Sequence, residues 1–157
     1  MYHNLHILAK NKKYFQIMNS YLDTKYSIEE KFSKATSERD MRFYLLCLLA
    51  LESGARVSDL LRLDWINIEY DTSQVIYINT KSKKRQFQKV SDGTISKIRR
   101  YKETLNAGGV FNQKIFYNSY KNTILSRVTA NRRTQKEFGF NFHQLRKEAG
   151  RNIANQK

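Results

Sequence analysis

Three short segments of the sequence carry side chains whose types and spacing suit phosphodiester chemistry. Arg56 lies in the segment SGARVSD, residues 53–59, between two apolar runs. Lys81 lies in a basic turn, and His143 and Arg146 are three residues apart near the other end of the chain. At that spacing the last two side chains share one face of a helix. These four residues are therefore a candidate set for binding and activating a phosphate.

The chemistry of this set follows from its charges. Two guanidinium groups can clamp the two non-bridging oxygens of a phosphodiester with paired hydrogen bonds. Negative charge grows on those oxygens in the pentacoordinate transition state, and fixed cations stabilise it. The lysine can donate a proton to the leaving 5′-oxygen as a general acid. The histidine can donate a hydrogen bond or shuttle a proton.

Both the corner and the turn also have a purely structural interpretation. Arg56 would then only cap a helix or pair with Asp59, three residues later. The turn would then be a solvated loop kept soluble by its charges, and these are Lys81, Lys83, Lys84 and Arg85. The residues alone leave these alternatives open.

The elements that position these residues are predicted to be mainly helical. Ser37 is a predicted N-cap, and the apolar run 41–51 predicts a buried central helix that ends at Gly54. A second helix is predicted to open at Ser58, with Trp65 and Ile66 continuing into the core. Its apolar face consists of Leu60, Leu61 and Leu63. Residues 74–80 and 85–90 predict a β-hairpin with the basic turn at its tip.

Three further helices are predicted after the hairpin. The first is capped near Ser91, and its inward residues are Ile95, Ile98, Tyr101 and Leu105. The second starts at Asn118 or Ser119, with a stripe of Tyr120, Ile124, Leu125 and Val128. The third is anchored by Phe142, Leu145, Ala149 and Ile153. The predicted fold is thus mainly α with a small β-hairpin or sheet, an α+β domain over residues 38–157, preceded by an N-terminal segment, residues 1–37.

The charge of the chain is concentrated in its second half. Residues 1–79 carry 10 basic and 10 acidic residues, whereas residues 80–157 carry 19 basic and 4 acidic ones. This asymmetry favours a polyanion bound by one face, and double-stranded DNA is the first candidate. An anionic membrane surface is the second candidate, but no basic amphipathic helix supports it. Beyond the turn, Arg132, Arg133 and Lys147 are predicted DNA contacts.

Other classes of chemistry receive little support from the sequence. The four acidic residues of the second half are scattered, so a two-metal nuclease is disfavoured and no metal or cofactor is expected. His3 and His6 have no further ligand nearby, and Cys47 is predicted to be a buried apolar residue. No apolar run has the length of a membrane span, and the start does not resemble a signal peptide, so a cytoplasmic protein is expected.

The order of the three segments resembles the tyrosine recombinase (phage integrase) family. Residues 53–65, SGARVSDLLRLDW, resemble the first arginine box, with Ser53 and Asp59 in place of the usual threonine and glutamate. The basic turn resembles the hairpin that carries the catalytic lysine, with Lys81 the best match and Lys83 or Lys84 the alternatives. Residues 142–146, FHQLR, resemble the His-x-x-Arg box. The resemblance implies a catalytic-domain fold in which Arg56, Lys81, His143 and Arg146 act on a DNA phosphate.

The resemblance is incomplete at the nucleophile. In the family a further His/Trp position and the nucleophilic tyrosine lie well beyond the second arginine, whereas this sequence reaches Lys157 eleven residues after Arg146. All ten tyrosines precede His143. We therefore expect a truncated integrase-type catalytic domain that binds DNA but forms no covalent link by itself.

Two alternatives to this function remain open at the level of sequence. One is a non-catalytic, recombinase-derived DNA-binding or regulatory protein that occupies a recombination site or pairs with a full-length recombinase. The other is a metal-independent phosphotransferase or nuclease that uses His143 as its base. A monomer in solution is expected, because family members assemble by exchanging a C-terminal segment that would follow Lys157.

Overall fold

A long buried helix organises the fold. The computed structural model describes residues 20–156, and the side chains of residues 20–150. Helix α1 covers residues 20–34, and helix α2, Glu38–Ser53, follows it. The side chain of Ser37 accepts a hydrogen bond from the amide of Asp40 and caps α2, as predicted. Gly54 ends α2 in the left-handed region with a φ of +68°, where glycine carries no Cβ penalty. The run 41–51 is buried on all sides, so the prediction of a central helix is confirmed.

A small antiparallel sheet packs beside α2. Helix α3, Val57–Leu61, and a short 3₁₀ turn, Trp65–Asn67, lead into strand β1, Ile68–Glu69. Strands β2, Gln74–Ile78, and β3, Arg85–Lys89, form the predicted hairpin, and the strand order is β1-β2-β3. The register pairs Ile76 with Phe87 and Ile78 with Arg85. Strand β1 was not predicted, because two residues are too few to show a period.

Helix α4, Asp92–Ala107, packs against α2, and Ser91 caps it as predicted. Its predicted inward residues are all buried. The hydroxyl of Tyr101 donates to the carbonyl of Ile115, which ties α4 to the connector that follows it. A buried arginine, Arg42, donates to the carbonyl of Tyr117 at 3.1 Å and so holds the next element against α2.

The sequence prediction of a helix is wrong for residues 118–126. A two-stranded hairpin, β4, Tyr117–Asn118, and β5, Thr123–Ile124, replaces the predicted start of a helix. Asn118 accepts hydrogen bonds from two turn amides, and Asn122 has a φ of +52°, both of which favour a turn. Helix α5, Arg127–Phe138, starts only after Ser126. Tyr120 and Val128 are consequently exposed, and so is Ile66, which was predicted to enter the core.

Helix α6, Phe142–Gln156, completes the fold by packing on α2. Asn141 and Gln144 cap its start reciprocally, since each side chain accepts from the backbone amide of the other. The anchors Phe142, Leu145 and Ala149 are buried as predicted. The mainly helical fold with a small antiparallel sheet is therefore confirmed.

The N-terminal part of the chain is described only in part. Within α1, Ile28 and Phe32 belong to the main hydrophobic core. The expectations for His3 and His6 lie outside the described residues, as does the side chain of Ile153. No helix within residues 20–156 combines the length and apolarity that a membrane crossing requires. Cys47 is fully buried, and its burial strongly raises the pKa of the thiol.

Candidate phosphate-binding site

The corner between α2 and α3 holds the backbone of Arg56 in a fixed position. The Ser53 hydroxyl donates to the carbonyl of Leu49 and accepts from the amide of Ala55. The carbonyl of Arg56 accepts the first two amides of the α3 ladder, from Asp59 and Leu60. The side chain that leaves this rigid corner is partly exposed.

Neither structural interpretation of Arg56 fits this geometry. Arg56 occupies the N-cap position of α3 but makes no side-chain capping bond. The reason is chemical, since a guanidinium has only donors and cannot accept from a helix amide. Within residues 20–150, no ion pair within 4.0 Å joins Arg56 to Asp59 or to another carboxylate. Among residues 20–150, the guanidinium of Arg56 therefore has no carboxylate partner.

Helix α6 brings the second arginine to the same corner. The Nε of Arg146 donates to the carbonyl of Gly54 at 2.9 Å. A Cβ placed on Gly54 would lie 3.5 Å from the Cβ of Ala149, which shows how closely α6 approaches the corner. The Nε contact orients the guanidinium of Arg146, and its terminal amino groups form no hydrogen bond with the described residues. Arg56 and Arg146, 90 positions apart in sequence, thus lie at one corner.

The β2–β3 hairpin is attached to this corner through Asp59. The Thr80 hydroxyl donates to Oδ1 of Asp59 at 3.0 Å, and Asp59 is only 3% exposed. Burial raises the pKa of Tyr77, the negative charge of Asp59 raises it further, and the positive charge of Arg146 lowers it. Tyr77 of β2, Asp59 of α3 and Arg146 of α6 therefore lie close enough to influence one another.

The basic turn lies at the exposed end of the hairpin. Asn79 Oδ1 accepts from the amides of Lys81 and Ser82, and the Lys81 side chain extends into solvent. Lys83, with a φ of +61°, and Lys84 are exposed at the tip. The guanidinium of Arg85 lies over the ring of Phe87 at 5.5 Å. The tip is thus a compact group of exposed cations beside the corner.

His143 and Lys147 are both exposed on α6 and lie one turn apart. His143 is the second residue of the helix and lies one turn before Arg146. Its ring makes no hydrogen bond with the side chains or backbone that the structure describes. Among residues 20–150, no group of three or more His, Cys, Asp or Glu side chains is arranged to hold a metal ion.

The two arginines of α5 have different surroundings. Arg132 is exposed. Arg133 donates to Asp40 at 2.6 Å and to Glu137 at 3.4 Å, and its guanidinium lies 4.3 Å from the ring centroid of Phe43. Burial opposes ionisation of Asp40, but the hydrogen bond and charge of Arg133 outweigh it and lower the pKa of Asp40. We therefore propose a structural role for Arg133 in place of the predicted DNA contact.

Sequence reasoning did not predict the contact that joins the hairpin to the first arginine box. Thr80 donates to the carboxylate of Asp59, and Asn79 holds the turn that begins at Lys81. The signal available in the sequence was the pair Asn79-Thr80 directly before Lys81, because both side chains commonly bond nearby backbone or helix groups at turns.

Comparison with known proteins places this arrangement in a family. Residues 25–157 match the sequence profile of the phage integrase family. No curated protein shows significant sequence similarity to the chain.

The fold is also that of several solved structures. XerA recombinase superposes with a TM-score of 0.68 at 16% identity, over 84% of this chain and 48% of that chain. XerH site-specific recombinase bound to difH substrate, in a pre-cleavage complex, superposes with a TM-score of 0.67 at 16% identity. The match covers 85% of this chain and 42% of that chain. A lambda integrase tetramer bound to a Holliday junction superposes with a TM-score of 0.57 at 19% identity. The match covers 82% of this chain and 40% of that chain. The chain spans less than half the length of these three proteins.

Proposed function

Because the chain belongs to the phage integrase family, we propose that it binds double-stranded DNA and holds one backbone phosphate between Arg56, Arg146 and Lys81 for site-specific recombination. The observation that carries this proposal is the hydrogen bond from Arg146 Nε to the carbonyl of Gly54. It joins the His-x-x-Arg box to the first arginine box across 92 residues. The hydrogen bond from Thr80 to Asp59 supports the inclusion of Lys81, which directly follows Thr80.

Each residue then has a chemical task. The free donors of Arg56 and Arg146 bind the non-bridging oxygens and stabilise the charge that grows on them. When a nucleophile attacks the phosphorus and the bond to the 5′-oxygen breaks, Lys81 donates a proton to that leaving oxygen. His143, exposed at the start of α6, donates a hydrogen bond to the same phosphate. In residues 1–157 these cations bind and activate the phosphate, and the strand cleavage itself requires a nucleophile.

The DNA partner is supported by charge and by the structural relatives. The surplus of basic residues lies in residues 80–157, and the exposed cations of the hairpin tip, Arg132 and Lys147 belong to it. The XerH structure contains its difH substrate, and the lambda integrase structure contains a Holliday junction. We propose a duplex bound along this basic surface, with a polypeptide of residues 1–157 monomeric before DNA is added.

A paired comparison of arginine variants tests the phosphate site. Arg56→Ala and Arg146→Ala should weaken retention of a single target phosphate while leaving bulk duplex affinity nearly unchanged, because each contacts one phosphate only. Arg62→Ala, an exposed arginine at the end of α3, is the matched control. Substituting one phosphate at a time by an uncharged methylphosphonate would locate the loss. If no single position depends on Arg56, the clamp is wrong.

A suicide DNA substrate tests the chemistry of residues 1–157. We expect this polypeptide to bind the substrate without forming a covalent adduct, because all its tyrosines precede the His-x-x-Arg box. A denaturing gel reports the outcome. A stable adduct would show that one of these tyrosines is a nucleophile.

A further inference from the structure

The residue two positions before Lys81 fixes the backbone of the hairpin tip. Asn79 Oδ1 accepts from the amide of Lys81 at 2.9 Å and from that of Ser82 at 3.2 Å. The main chain of Asn79 closes the same loop. Its amide donates to the backbone carbonyl of Lys84, and its carbonyl accepts from the backbone amide of Lys83. The tip is therefore held by its own hydrogen bonds, although its lysines extend into solvent.

The residue directly before Lys81 ties this tip to the first arginine. The Thr80 hydroxyl donates to Oδ1 of the buried Asp59, and the amide of Asp59 donates to the carbonyl of Arg56 at 3.0 Å. The other carboxylate oxygen of Asp59 is buried and has no partner among the described residues. A continuous path thus leads from the main chain of Lys81 through Thr80 and Asp59 to Arg56.

We propose that Asn79 and Thr80 are positioning residues that set the distance between Lys81 and Arg56. The inference rests on the proposed function, in which both cations contact one phosphate. Lysine has a flexible stem, so the place of its backbone decides which atoms its ammonium group reaches. A lysine held at a fixed distance from the arginine contacts the phosphate with little further loss of conformational freedom. Such preorganisation is a large part of catalysis.

Four variants test this proposal in matched pairs. Thr80→Val keeps the shape but removes the donor, whereas Thr80→Ser keeps the donor. Asn79→Ala removes the acceptor, whereas Asn79→Asp keeps one. Asn79 lies in a loop outside the core, so Asn79→Ala still tests the proposal if Thr80→Val does not fold. Thr72→Val, in the exposed β1–β2 loop, is the control for a threonine outside the site.

The measurement is an NMR titration of ¹⁵N-labelled protein with inorganic phosphate. We expect phosphate to shift the amides around Arg56 and Lys81, and Thr80→Val to weaken its affinity by about threefold or more, as for coupled neighbours. In a Lys81→Ala background, Thr80→Val should not weaken phosphate affinity any further. If Thr80 only stabilised the fold, Thr80→Val would weaken phosphate affinity in that background as well. Amide exchange at Lys81 and Ser82 should accelerate in Asn79→Ala but not in Asn79→Asp.

Two results would overturn the proposal, and they are distinguishable. If phosphate shifts the Arg56 and Lys81 amides but Thr80→Val and Asn79→Ala bind it like the original protein, the positioning role fails and the phosphate site stands. If phosphate leaves both amides unchanged in the original protein, the phosphate site itself fails, and the positioning role with it.

Discussion

Replacing Arg133 and Arg132 one at a time should separate a structural arginine from a DNA-binding one. The two residues are neighbours on α5 with the same side chain, but only Arg133 is held inside the protein. Arg133→Ala should lower stability, whereas Arg132→Ala should lower DNA affinity. Replacing both arginines in one variant would mix the two effects.

The size of the stability loss follows from the contacts of Arg133. It makes a hydrogen bond to the half-exposed Asp40 and a longer one to Glu137. Such a charged hydrogen bond contributes about 1.5–3 kcal/mol, and the lower end applies to a partly solvated carboxylate. The position over Phe43 adds about 0.5–1 kcal/mol. The total of about 2–3 kcal/mol corresponds to a Tm lower by roughly 5–10 °C in a domain of this size.

Thermal unfolding and fluorescence anisotropy on one mixed-sequence duplex measure the two effects. Arg132→Ala should leave the Tm nearly unchanged and reduce the slope of log affinity against log salt by about one. Arg133→Ala should lower the Tm and leave that slope unchanged at a temperature where the protein is folded. The reasoning is refuted if Arg133→Ala keeps the original Tm and loses DNA affinity.

Three further predictions concern the whole interface, pH and the corner. If about 6–10 basic residues contact phosphates, duplex affinity should fall roughly 10³–10⁵-fold between 50 and 200 mM salt, and salt-insensitive binding in a filter assay would contradict the DNA function. The lowered pKa of Asp40 gives stability that is complete above its unfolded value of about 3.9 and lost as the pH falls through the lower folded value. Urea titrations from pH 6 to 2 should therefore show a smaller acid-induced loss in Arg133→Ala. Gly54→Ala should lower the free energy of unfolding by about 1–2 kcal/mol, because an alanine is strained at a φ of +68°. The new Cβ would lie at an ordinary 3.5 Å from the Cβ of Ala149, so the loss comes from the backbone and not from a clash. An unchanged urea midpoint would refute this strain.

Local pattern was sufficient for the elements that carry the site. The apolar run 41–51, the alternation on both sides of the basic turn and the cap at Ser37 identified α2 and the β2–β3 hairpin. Local pattern misled at residues 118–126, because Tyr120, Ile124 and Val128 repeat at helical spacing. There the side chain of Asn118 satisfies turn amides, and tertiary contact with Arg42 fixes the strand instead.

The site was only partly predictable, because local sequence pattern does not record tertiary contacts. The order of three motifs identified Arg56, Lys81 and Arg146, whose functions stay predictions until tested. It gave no sign that Arg133 binds Asp40, 93 residues away, or that Thr80 binds Asp59. Such pairings depend on how helices pack, and no period or composition in the sequence records them.

The contact between Arg146 and Gly54 has a consequence for synthesis of the chain. Gly54 is synthesised 92 residues before Arg146. At about 5–20 residues per second, roughly 5–20 seconds pass before the second arginine is made. During that time the proposed phosphate clamp has only its first arginine. Under the proposed function, the site would therefore be assembled only after the hydrogen bond between Arg146 and Gly54 forms.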